Sequence, residues 1–257
     1  MMAVIVLTSA CGAPGVTTTT LGLAITWGRP AIAVEADPVG GSSMLAGYFR
    51  GFHEPTQSVV DLLLAHRNGR LAEQFPLSLV SVEGTDASVL PGPRSHAQAR
   101  GALDLWEPLS LIWKTLQADA DVLVDAGRLG MESAPTPLLR VADLVLLVTR
   151  SDLPSLAAAK QWAEQVIENR RAHPETPEWR ILLIGGGHPY TAREVEGVLG
   201  LTVISTLGLD SRGASAYSEG VSVRRPRLNK DLVACGRHIR ETLDAADLLL
   251  TPKEHHD

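Results

Sequence analysis

Hydrophobic and polar positions along the chain alternate between two textures. Short apolar runs rich in Val, Ile, Leu and Ala fall near residues 3–8, 31–35, 79–82, 87–90, 121–125, 143–149 and 180–184, with an eighth candidate at Leu201–Ser205. Near-continuous apolar runs of this length, with many β-branched residues, fit strands buried on both faces. Between them, Thr17–Trp27, Val59–His66, Ala97–Gln117, Pro154–Asn169 and Thr191–Val198 carry apolar residues at helical spacing, and Arg237–Leu250 reads as a terminal helix. Pro108 is expected to kink or divide the third of these helices, and Pro174 and Pro177 mark the loop before the strand at Ile181. Strands alternating with helices predict a three-layer, doubly wound α/β fold with a mostly parallel sheet. Residues 1–257 read as a single domain, with a C-terminal helix near 230–250.

Composition narrows the class without naming a chemistry. Hydrophobic residues make up 45% and charged residues 20%, while aromatics are only 4%, so the core must be built from Leu, Val, Ala and Ile. No apolar run approaches the roughly 18 residues that would cross a bilayer. The first run lacks a basic segment before it and is too short for a signal peptide. Cys11 and Cys235 do not suggest a disulfide framework, so a cytoplasmic protein without membrane insertion is expected. The net charge of −6 does not imply nucleic acid. A local basic cluster does exist: Arg224, Arg225, Arg227, Lys230, Arg237 and Arg240. It is either a solvated face, the reading preferred here, or a surface for nonspecific DNA binding. Glu241, Asp244 and Asp247 argue against a membrane-surface helix, and His255 and His256 are too few to make a metal site.

Candidate chemistry gathers where the apolar runs end. In Val4–Ala24, a strand-like run leads into the small-residue loop Ser9–Val16 and then into four threonines that open a helix. Strand, glycine-rich loop and helix N-terminus together present backbone N–H groups and a partial positive charge, as a phosphate requires. An ordinary Walker A loop places a lysine before its Ser/Thr. Val16 stands there. A second run, from Ala31, ends in Glu35 and Asp37, which would share one side of the strand if it continued that far. Asp-Pro and Gly-Gly come next, so a plain turn is the alternative. A third run, from Asp121, ends in Asp125, which could hold Mg²⁺ or serve as a loop acid, and then Arg128, which could meet a phosphate or a surface acid. A fourth, Ala142–Arg150, is expected to supply core.

In this order and spacing the four stretches resemble the ParA/MinD family of deviant Walker P-loop ATPases, over Val4 to about Gly220. The family loop K-G-G-x-G-K-[ST]-T falls on Cys11–Thr18, where Gly12, Gly15, Thr17 and Thr18 match. Ala142–Arg150 resembles the family's A-D-x-V-L-x-V strand, and Leu207–Asp210 with Ala216 and Gly220 resembles its late G-x-[IL]-P-x-D…A…G region. The resemblance implies a P-loop NTPase-like fold, with nucleotide contacts from Gly12, Ala13, Pro14, Gly15, Val16, Thr17 and Thr18. It implies Mg²⁺ held by Thr17 and Asp125, and Asp37 as the acid orienting attacking water in an active member. Three positions depart from the family. Cys11 replaces the signature lysine, Val16 replaces the P-loop lysine, and Gly185–Gly187 stand where an Asn would read adenine. Arg29 and Arg128 are the candidate replacement cations. The resemblance further implies a homodimer, with ATP or ADP and Mg²⁺ bound weakly or not at all. Its role would be positioning or assembly of a machine such as a pilus or secretion apparatus, through a localised protein partner. The alternative is an active nucleotide-switched ATPase, with DNA held through Arg224, Arg225 and Arg227.

Overall fold

The first apolar run forms β1 (Val4–Ser9), in which every residue is buried. The computed structural model describes residues 2–12, 14–53, 55–115, 120–224 and 226–250; Ala13, Arg225, His255 and His256 lie outside them. Seven further strands complete the sheet: β2 (Ala31–Glu35), β3 (Val80–Ser81), β4 (Ala87–Leu90), β5 (Asp121–Arg128), β6 (Leu144–Arg150), β7 (Glu178–Ile184) and β8 (Val203–Leu207). Their order is β3-β4-β2-β5-β1-β6-β7-β8. All neighbours are parallel except the short β3, which runs antiparallel to β4. The chain leaves β1 toward β2 on one side and leaves β5 toward β6 on the other. The carboxyl end of β1 is therefore a point where the winding reverses, the place at which open parallel sheets hold ligands.

Helices cover both faces, and the period-2 alternation of the strands decides which residue meets which layer. Ile5 and Leu7 of β1 face α1 (Val16–Thr26), α8 (Ser211–Ser218) and α9 (Arg227–Leu250), packing with Leu21, Trp27, Leu232 and Ile239. Val4 and Val6 face the opposite layer, α2 (Val59–Arg67), α3 (Leu71–Gln74), α4 (His96–Thr115) and α5 (Thr136–Val141), with Leu62, Leu105, Trp106 and Trp113. A third cluster packs α6 (Leu153–Ala172) and α7 (Ala192–Leu199) on β7 through Leu156, Ala163, Leu183 and Val195. Among the described residues, no helix is long and apolar enough to cross a membrane.

Two expectations need correction. Pro108 does not divide its helix: α4 runs through it unbroken. Leu105, Trp106, Leu109 and Trp113 are all buried on either side of it, and that packing outweighs the lost hydrogen bond. The eighth strand starts at Val203 rather than Leu201, because Gly200 closes α7 in a left-handed conformation and residues 200–202 complete the turn.

The amino ends of the strands hold a buried polar knot. Asp121 accepts hydrogen bonds from Ala3 N at 2.9 Å, from Trp27 Nε1 at 2.6 Å and from Arg29 Nε at 2.6 Å. Arg240 donates to Trp27 O at 2.7 Å and stacks over its ring at 5.1 Å. Arg29 is thus committed at the end of β5 opposite Asp125 and is no replacement for a loop lysine. Arg240 likewise turns from the basic cluster to Trp27 and is half-buried there.

Candidate functional site

The loop after β1 is shaped by small residues. Ser9 Oγ donates to Cys11 O at 2.9 Å, turning the chain as it leaves the sheet. Gly15 has φ +102°, which side-chain-bearing residues rarely adopt, and a Cβ on Gly12 or Gly15 would meet nothing within 4 Å. The loop therefore wraps an open cradle. α1 begins at Val16 with no side chain capping its first amides, so its positive end faces that space. Val16 itself is buried in the core with Ile5 and Leu21. Cys11 lies half-buried, its Sγ 3.9 Å from Ser155 Oγ at the start of α6.

Asp125 lies on the neighbouring strand, fully buried. Its Oδ1 accepts from Gly127 N at 2.9 Å, but Oδ2 has no hydrogen bond of normal geometry. Burial pushes its carboxyl up to about 7; the Thr17 hydroxyl and the Gly127 amide favour the charged form, while Asp37 and Glu35 oppose it. A buried acceptor without a partner, beside a threonine hydroxyl at a helix start, fits a bound cation.

The two acids expected to act together after β2 are separated. β2 ends at Glu35, which turns inward and accepts from Ser42 Oγ at 2.5 Å, Met44 N at 3.2 Å and Gly92 N at 3.1 Å. Burial raises its pKa against those hydrogen bonds. Glu35 anchors the following loop and does not line the cavity. Asp37 does: its Oδ1 accepts from Val39 N at 2.9 Å, and its carboxylate rests on Gly127, where an added Cβ would come within 2.5 Å of it.

The loop, the start of α1 and Asp37 border a cavity of about 800 Å³, whose lining does not include Asp125. Gly12, Pro14–Thr18, Asp37 and Gly127 line one end; Ile184, Leu207, Leu209, Ala214 and Leu228 give the other an apolar wall. Such a volume suits a nucleotide-sized molecule with one polar and one apolar part. Arg128 and Arg150 also line it. Arg150 was missed in the sequence because its strand reads as core, although an arginine ending an apolar run is the same signal that marked Asp125. Gly185 and Gly186 are needed where they stand, since a Cβ on Gly185 would press on Leu209 at 2.9 Å and one on Gly186 on the Thr206 methyl. No lysine lines the cavity among the described residues. Among those residues no three His, Cys, Asp or Glu side chains cluster as a metal site, so a cation here would lean on few protein ligands. In the basic cluster, Arg224, Arg227, Lys230 and Arg237 are exposed.

No protein-family model matches the chain, and no curated protein matches it. Solved structures do. The cell division ATPase MinD of Pyrococcus furiosus superposes with a TM-score of 0.72 at 19% identity, covering 94% of this chain and 100% of its own. A ParA family ATPase from Chlorobium tepidum gives a TM-score of 0.73 at 17% identity, covering 93% and 98%. The ATP complex of a substituted McdA from Cyanothece gives 0.69 at 15% identity, covering 95% and 96%. Identities this low establish the fold: the chain has the three-layer architecture of the MinD and ParA ATPases over nearly its whole length.

Proposed function

We propose that this protein is a positioning or assembly factor of the ParA/MinD type whose nucleotide site is degenerate. In this reading it retains weak Mg²⁺-nucleotide binding and has lost efficient hydrolysis. The observation that carries it is the place of Val16, whose side chain packs into the core where the P-loop lysine would reach the phosphates. Solved neighbours include a MinD from Pyrococcus horikoshii complexed with Mg-ADP and the McdA–ATP complex, which supports a nucleotide as the ligand here. Thr17 and Asp125 would hold Mg²⁺, which when bound supplies charge neutralisation for the phosphates. The amides of Gly15–Thr18 would orient those phosphates. Loss of a hydrogen bond to a charged group costs about 1.5–3 kcal/mol, weakening binding roughly 10- to 100-fold. Phosphoryl transfer suffers more, because a cation at the transition state contributes roughly 10³–10⁵ in rate.

Calorimetric titration with ATP and ADP, with and without Mg²⁺, tests this. Mg²⁺-dependent binding with Kd between about 0.1 and 1 mM, without turnover, is expected. Steady ATP hydrolysis abolished by Asp37→Ala would instead establish the active-ATPase alternative, which Asp37 in the cavity wall favours. A MinC:MinD complex among the solved neighbours supports a protein partner, and we assign that role to a component of a localised apparatus such as a pilus or secretion machine. A homodimer facing across the nucleotide site is part of the proposal, checked by sedimentation at rising concentration. DNA binding through Arg224, Arg225 and Arg227 would appear as salt-dependent affinity lost on neutralising all three.

A further inference from the structure

We propose that Arg128 and Arg150 are the cations that grip nucleotide phosphates in this cavity, standing in for the lysines that its loop lacks. The inference rests on the nucleotide reading above and assigns it a charge partner. Its basis is where the two side chains originate. β5 and β6 flank β1, the strand that delivers the loop, one on each side. Ser9, the last residue of β1, lies opposite Arg128 in β5 and opposite Val148 in β6, two residues short of Arg150. Strands spaced about 4.8 Å apart therefore put the two arginines roughly 10–12 Å apart, astride the cradle. Both are exposed, and both line the cavity with Gly15, Thr17 and Thr18.

Charge makes the assignment specific. Two acids also line the cavity: Asp37, which accepts from Val39 N, and Asp210, which accepts from Gly213 N at 2.8 Å and Leu228 N at 3.2 Å. Arg128 meets Met131 Sδ, a weak acceptor that a phosphate oxygen would readily outcompete. Without the arginines, a polyphosphate entering beside Asp37 and Asp210 would meet net repulsion. Two planar guanidiniums offer paired N–H donors that match phosphate oxygens, a geometry a lysine ammonium does not reproduce. The ligand class is a nucleoside di- or triphosphate, held by charge at one end and by the apolar wall at the other.

The test is calorimetric titration of folded protein, checked by circular dichroism, with Mg-ATP, Mg-ADP and inorganic triphosphate. Wild type is compared with Arg128→Gln, Arg150→Gln, the double variant and Arg150→Lys. Each single change is expected to weaken Mg-ATP and triphosphate about tenfold, and the double change about 100-fold. Arg150→Lys should recover only part of the loss, and the salt dependence of binding should flatten in the double variant. If wild type binds Mg-ATP and the double variant binds it within about twofold, the arginine assignment fails while the nucleotide reading stands. If folded wild type binds neither nucleotide nor triphosphate at millimolar concentration, the nucleotide reading fails and takes this inference with it.

Discussion

Asp125 is the residue whose chemistry is most sensitive to what occupies the site. Its carboxyl ordinarily titrates near 3.8 and is pushed up to about 7 by burial, against help from Thr17 and Gly127. Between those values the folded protein binds a proton that the unfolded chain has released. Stability from this group is therefore lost as pH rises from about 4 to about 7, and remains lost above. Glu35, also raised by burial, adds a change of the same sign. Asp125→Asn removes the ionisation and keeps an oxygen for Gly127 N. In EDTA the variant should be more stable than wild type at pH 8, by an order of 2–4 kcal/mol, and nearly equal to it at pH 4. Urea melts at the two pH values decide this. A variant less stable at pH 8 would mean that the ionised carboxylate is already compensated within the protein. The arginines belong to the same scale: a buried Asp125 beside a half-buried Asp37 calls for positive charge from the ligand's metal and from the cavity rim.

One element couples the two walls of the cavity. After Asp37 the chain forms a π-helical turn at Met44–Tyr48, tied to Glu35 through Met44 N, and this turn docks on the loop after α8. The contact is backbone against backbone. A Cβ on Gly47 would strike Ser218 O, and one on Gly220, at φ +59°, would strike Tyr48 O, while Arg50 Nε donates to Glu219 O at 3.1 Å. α8 itself begins at Ser211 in the cavity wall. Gly220→Ala therefore meets both a left-handed backbone and a collision, and should cost about 2–4 kcal/mol, read as a lower urea midpoint at unchanged m. A loss below 0.5 kcal/mol would show that the turn is not held by this contact. None of this was legible in the sequence. The turn and the short helices α3 and α5 are too brief to carry a period, and their form comes from docking. The strands were legible because burial on both faces writes them as unbroken apolar runs. Thr17, Asp37 and Asp125 were legible because they succeed such runs. Arg150 succeeds one too, but no glycine-rich loop stands beside it to draw attention. Glu35 was misjudged for a different reason: Ser42, Met44 and Gly92, which claim it, are set against it only by the fold.

At the scale of the molecule, the cavity draws on loops and strand ends from β1, β2, β5, β6, β7 and β8 and on three helices, α1, α8 and α9. A ligand there contacts elements from both halves of the sheet, so its binding energy acts on the folded state as a whole. Ligand that binds only the folded form adds RT ln(1 + [L]/Kd) to stability. For a degenerate site with Kd of about 1 mM, 5 mM Mg-ATP adds about 1 kcal/mol, a rise in Tm of roughly 2–4 °C for a chain of this size. EDTA should cut the rise, because phosphates without a cation meet Asp37 and Asp210 unshielded, and the Arg128→Gln, Arg150→Gln double variant should abolish it. Adenosine at the same concentration should give little, since the apolar wall alone lacks the charge that fixes the ligand. Differential scanning fluorimetry at matched ionic strength separates these cases. A rise produced equally by Mg-ATP and by magnesium sulfate would be an effect of salt on the whole surface. A rise specific to Mg-ATP and lost with the arginines would locate the binding energy at the carboxyl end of β1.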